Sequence, residues 1–157
     1  MFLTLSLAGV SVTMNKFLNN EYPRVGVNSA KVEYSIDGTP ATSGSYTESK
    51  YLWVVNAIVS PSQKDLLEII WWESEDRRRR LTNDADILIY DRTSTVKEKT
   101  PRSRGIVPNA AEVMINENYI AYYAQFWGIM TTDLKFSKLG IFDAVSFSMA
   151  ETVRVVS

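Results

Sequence analysis

The sequence predicts a mainly β chain: an antiparallel β-sandwich or split barrel of about six or seven strands with one flanking α-helix over residues 60–79. Three observations carry that expectation. Apolar residues recur at every second position through most of the 157 residues, the repeat of strands with one buried face. A single segment, opened by Ser60-Pro61-Ser62-Gln63, carries the helical repeat instead. A parallel sheet would need a helix between most consecutive strands, and one helix cannot supply them. At this length one domain over 1–157 is expected.

The elements follow in order. Leu3, Leu5 and Leu7 share one face against Thr4 and Ser6. Val10, Val12 and Met14 continue after Ala8-Gly9 with the parity reversed, which predicts a bulge at Gly9. This opening run does not read as a secretion signal, because its first cation is Lys16 and Thr4 and Ser6 interrupt the apolar core. Residues 15–28, with Asn19-Asn20 and Pro23, read as a polar loop. Ala30, Val32, Tyr34 and Ile36 then alternate with Lys31, Glu33 and Ser35 as a second strand, and a Gly/Ser/Thr connection fills 37–50. Tyr51 to Val59 is apolar on both faces, as a doubly covered strand would be.

The helix begins with Ser60 as cap, Pro61 at the first helical position and Gln63 at the capping-box distance. Residues placed roughly 100° apart put Ile69, Leu66, Ile70, Leu67 and Trp71 on one face, turned toward the sheet. Trp72 falls on the opposite side beside Glu68, either under a loop or as a contact with a neighbouring subunit. In the run Arg77 to Arg80, Glu73, Glu75 and Asp76 lie four residues before Arg77, Arg79 and Arg80. That acid-first order predicts a solvated, self-paired helix end; an intersubunit or nucleic-acid contact is the alternative.

A turn at Thr82-Asn83-Asp84 leads into a short strand, Asp86 to Asp91. Residues 92–111 then carry Arg92, Lys97, Lys99, Arg102 and Arg104 against Glu98, with Pro101, Gly105 and Pro108. An extended loop of that length is expected to wrap a neighbouring subunit, or else to be mobile. The candidate subunit contacts are therefore Trp72, Arg92, Lys97, Lys99, Arg102 and Arg104. Residues 119–130 are expected to form one central strand covered on both faces, and Asp133 to Gly140 a connection. In a last strand reaching Val156, Val145, Phe147 and Met149 alternate with Ser146, Ser148 and Ala150; Glu151 interrupts its apolar face, as an edge or ring contact would.

The chemistry is bounded by what the chain lacks. With no Cys and no His, disulfides, thiolate metal sites and histidine-based catalysis are excluded. Lys and Arg number 17 against 18 Asp and Glu, a net charge of −1 without the basic surplus of a dedicated nucleic-acid binder. Neither a glycine-rich phosphate loop nor a G-x-S-x-G elbow occurs, and Asp84-Ala85-Asp86 reads as a polar turn. No apolar stretch is long enough for a transmembrane helix. No catalytic residue, cofactor or metal is expected, and the balance favours a structural role.

The order of elements from 51 to 156 resembles the distal-tail and minor-tail protein family of tailed bacteriophages. The residues that carry the likeness are an aromatic strand (Tyr51-Leu52-Trp53), the helix opened by Ser60-Pro61-Ser62-Gln63 and the short strand Ile87 to Asp91. After these come a loop, the aromatic strand Tyr119 to Trp127 and the closing Val145-Ser-Phe-Ser-Met-Ala-Glu151. The resemblance implies a tail-tube-related β-sandwich or split barrel, and a non-enzymatic virion protein of the tail tip or baseplate. It further implies rings, commonly hexameric, that join the tail tube to baseplate or hub proteins, with assembly in the host cytoplasm. A capsid decoration or tail-completion protein, and less so a nucleic-acid-binding β-barrel, are the alternatives.

Overall fold

The computed structural model describes residues 1–27, 31–43, 50–82 and 84–152. Its main sheet is antiparallel and built from β1 (Leu3–Leu7), β2 (Val10–Met14), β3 (Arg24–Val27), β6 (Lys50–Val59), β7 (Ile87–Asp91), β11 (Gln125–Met130), β12 (Lys135–Leu139) and β13 (Phe142–Glu151). The strand order is β2-β1-β7-β11-β13-β6-β3, with β12 added along β13. A second sheet holds β8 (Val96–Lys99), β10 (Tyr119–Tyr122) and β9 (Val113–Met114), and β4 (Lys31–Tyr34) pairs with β5 (Pro40–Ser43). The described residues thus form thirteen strands rather than six or seven, because several expected loops contain short strands of their own.

The two ends of the main sheet meet. Beyond β2 the chain returns to β6, where Phe17 bridges Ala57 and the Ile58 amide donates to the Lys16 carbonyl at 2.8 Å. The sheet therefore curls into a split barrel, as the alternation predicts. Its interior is filled by the alternate residues Leu3, Leu5, Val12, Met14, Trp53, Val55, Ile87, Ile89, Phe126, Val145, Phe147 and Met149, all buried. Period-two burial in β1, β6, β7, β11 and β13 is the direct cause of this architecture.

The helix α1 (Pro61–Arg79) lies on β1 and β2 and touches β6 and β13. Its start is as expected: Ser60 Oγ accepts from the Gln63 amide at 3.3 Å, and Gln63 Oε1 accepts from the Ser60 amide at 2.8 Å. Its buried stripe is Leu67, Ile70 and Ser74, rotated from the expected face, so that Ile69 is left 49% exposed. Serine at 74 hid the true centre of the stripe.

Three further expectations are corrected. Ala8 (φ 53°) and Gly9 (φ 78°) form the two-residue turn of the β1–β2 hairpin, with Leu7 opposite Val10. The parity reverses because the chain reverses, not through a bulge; both φ angles are positive, as a type I′ turn requires. Residues 119–130 are not one strand of one sheet: β10 belongs to the second sheet and β11 to the barrel, and the chain passes between them at Tyr123-Ala124. The even positions from Ile120 to Met130 stay buried throughout, so a single apolar face serves both sheets. The segment 15–28 includes β3, and the expected second strand occupies 31–34, with Ile36 fully exposed beyond it. Asn83, residues 44–49 of the connection and the final stretch to Val156 lie outside the described residues.

Candidate functional site

The barrel interior changes character at one end. There β7 finishes with Asp91, β13 with Glu151 and β3 opens with Arg24, each at an inward position of its strand. Asp91 is wholly buried and surrounded by donors. Arg24 Nη1 and Trp53 Nε1 both reach its Oδ2 at 3.0 Å, while the Thr93 amide (2.8 Å) and hydroxyl donate to Oδ1. Arg24 then spends Nη2 on Ser94 Oγ at 2.8 Å and on the carbonyls of Ser94 and Thr95 at 3.2 and 3.0 Å. A guanidinium with five rigid donors suits this task, and lysine would not.

A second buried pair stands beside the first. Arg104 Nε donates to Glu151 Oε1 at 2.9 Å and Nη2 to Oε2 at 3.3 Å, and the Tyr51 amide also donates to Oε2 at 3.0 Å. Both pairs leave at most 5% of their side chains exposed. The two guanidinium carbons each lie 5.0 Å from the Tyr51 ring centre, and 5.6 Å (Arg24) and 5.4 Å (Arg104) from that of Phe126. Tyr51 and Trp53 in turn meet Phe126 edge to face, at 5.6 and 5.0 Å. Around this core Tyr122 donates its phenol proton to Glu98 Oε1, and Ser103 donates to both Glu98 oxygens through its amide (2.6 Å) and hydroxyl (2.7 Å). Burial first, then the hydrogen bond to Glu98 and its charge, push the Tyr122 phenol well above its ordinary value of 10.

Chemically this cluster is a clasp. The carboxylates are saturated by donors, the guanidiniums face carboxylates, carbonyls and rings, and the Tyr122 phenol is held protonated; nothing in it is poised as base or nucleophile. It fastens the segment 93–104, with β8, across the end of the barrel. Glu151 does interrupt the apolar face, but it is buried against Arg104 of the same chain rather than standing as an edge or ring contact. Arg24 gave no sign of its burial, since it sits in a stretch that reads as loop.

The clasp also corrects the site expectation. Arg104 is 6% exposed and bound within its own chain, so it offers no surface for a subunit contact. Arg92 is half-buried and donates to the Pro108 carbonyl. Arg102 is exposed and pairs with Glu112 at 3.0 Å; Lys97 and Lys99 are exposed on β8. The segment 92–111 is therefore folded onto its own chain, with Val96 and Val107 buried and Ile106 bridging Ala124, rather than a loose loop. At the helix end, Glu73 pairs with Arg77 and Asp76 with Arg80 as expected, but Glu75 pairs with Arg78 at 2.8 Å. Arg77 also reaches Asp84, whose carboxyl is held below its ordinary value by the Thr82 hydroxyl and then by Arg77.

Trp72 is 59% exposed, and no loop among the described residues buries it. It stands edge to face with Trp71 at 4.9 Å and lines a groove of about 280 Å³ together with Glu68, Asp133, Leu134 and Phe136. Another exposed apolar area is the three-stranded sheet beyond the clasp, where Val113 and Met114 are each 58% exposed and Tyr119 is 40% exposed. Among the described residues no cluster of three or more acidic side chains could hold a metal ion, and no helix is long and apolar enough to cross a membrane.

No protein-family model, curated protein or solved structure matches this chain.

Proposed function

We propose that this chain is a non-enzymatic building block that assembles with copies of itself, as a ring-forming virion protein of a phage tail tip or baseplate. The observation that carries the reading is the pairing of a saturated, chemically inert clasp with large apolar side chains left outside the core, Trp72 foremost. An enzyme keeps reactive groups in a cleft; an assembly subunit keeps a stiff body and unburied contact area. The ring and the tail rest on the resemblance of residues 51–156 to the distal-tail family, whose expected split barrel with one flanking helix agrees with the fold. In this reading the partners are other copies, the tail tube and baseplate or hub proteins, and the work is mechanical.

Light scattering on the purified chain over a concentration series tests the assembly itself. The expected result is a closed species at a small multiple of 17.8 kDa, six copies if the family's common symmetry holds. Labelling the chain in virions and imaging them tests the location, with the tail tip as the expected position. A strictly monomeric chain, both alone and mixed with tail-tube protein, overturns the proposal.

A further inference from the structure

Two of the exposed apolar areas, the Trp72 groove and the three-stranded sheet, differ in charge, and that difference specifies a contact. The groove beside Trp72 combines aromatic walls with two carboxylates, Glu68 and Asp133, and Asp133 is exposed. Its aromatic wall already carries one cation, since Lys64 Nζ lies 5.0 Å above the Phe136 ring on its flank, and the two carboxylates outnumber it. At about 280 Å³ it falls below the usual size of small-molecule clefts, and holds one or two long side chains.

The three-stranded sheet carries the converse chemistry. Its ladder pairs Lys99 with Tyr119, Lys97 with Ala121 and Ala121 with Val113, so these residues share one face. The opposite face holds Val96, Ile120 and Tyr122, all buried against the barrel. The outward face therefore sets two ammonium groups among exposed apolar side chains, Tyr119 and Val113. Groove and sheet belong to different elements, the one to α1 and the stretch leading into β12, the other to β8, β9 and β10.

We propose that the outward face of this sheet in one copy seats in the Trp72 groove of the next, with Lys97 and Lys99 meeting Glu68 and Asp133. The occupant is a second copy of this chain, and the argument is complementarity of both charge and apolar surface. Because the two surfaces are different, the contact is head-to-tail; it leaves one groove and one sheet free at the ends of any open oligomer and closes only as a ring or continues as a filament. The inference rests on the assembly reading above and supplies its interface.

The test exchanges charges. Lys97→Glu with Lys99→Glu gives a chain acidic at both surfaces, and Glu68→Lys with Asp133→Lys gives one basic at both. All four positions are exposed or half-exposed, so melting temperatures close to that of the unaltered chain are expected and are measured first. Each variant alone should assemble at least tenfold more weakly in sedimentation velocity at low salt. An equimolar mixture should recover assembly as alternating oligomers, since every contact is again between opposite charges. Trp72→Ala should weaken assembly with melting unchanged. If the unaltered chain assembles and either charge variant assembles equally well, or the mixture fails to recover, this interface is wrong while the assembly reading stands. A chain that never assembles removes both.

Discussion

The molecule uses arginine in two opposite ways. At the helix end Arg77 to Arg80 are adjacent in sequence and mostly exposed, and Arg77, Arg78 and Arg80 are matched to acids one turn earlier. In the clasp Arg24 and Arg104 are eighty positions apart, buried, and matched to carboxylates 67 and 47 residues away. The conspicuous run costs little to lose. The scattered pair governs whether the second sheet stays on the barrel. Long-range burial, not the density of charge along the chain, sets what an arginine is worth.

Removing one clasp partner should produce the largest effect. Arg104→Met leaves Glu151 buried without its cation, and Arg24→Met does the same to Asp91; each should cost about 3–5 kcal/mol in urea unfolding. That is a large share of the stability of a domain this size, and it would also loosen 93–104 in hydrogen exchange. A loss near zero would show that the two arginine groups do not differ. The paired change Arg104→Met with Glu151→Met sharpens the point. It removes the stranded charge along with its partner, and should lose markedly less than Arg104→Met alone.

Alkaline pH probes the rim of the clasp. Tyr122 is held protonated above its unfolded value of 10, so its contribution is complete below pH 10 and is lost as pH rises toward the folded value. Stability should therefore fall above pH 10, and Tyr122→Phe should flatten that fall. Among the ion pairs, the smallest effect belongs to the helix end. Arg80→Gln breaks an exposed pair with Asp76 and should change stability by about 0.5 kcal/mol or less, shrinking further in high salt.

Ser74 adds a contrast of another kind. Its hydroxyl is buried without a hydrogen-bond partner among the described residues, and Ser74→Ala should leave stability unchanged or raise it by about 1 kcal/mol in the same unfolding measurement.

What the sequence made legible follows the same division. Period-two burial, the capping box at Ser60 and two of the three acid-first pairs on the helix are local patterns, and each is found where the spacing puts it. The departures depend on which elements and side chains pair, and spacing along the chain does not show that. Gly9 lies in a hairpin turn because β2 pairs back on β1; the run 119–130 changes sheets because β8 claims its first half. Arg104 is drawn inward by Glu151, so a position that reads as part of a basic loop belongs to the core. Of the candidate contacts, Trp72, Lys97 and Lys99 stand on open surface, Arg102 is exposed but paired, and Arg92 is half-buried.

The passage from β10 to β11 has a mechanical corollary. One unbroken length of backbone links the outer sheet to a strand held between β7 and β13, with bonds to β7 from Gln125 to Gly128 and to β13 from Gly128 to Met130. Tension applied to the outer sheet along that length loads these ladders in shear, so many hydrogen bonds resist together instead of peeling one after another. A tug on the periphery is thus delivered to a strand bonded along both of its edges.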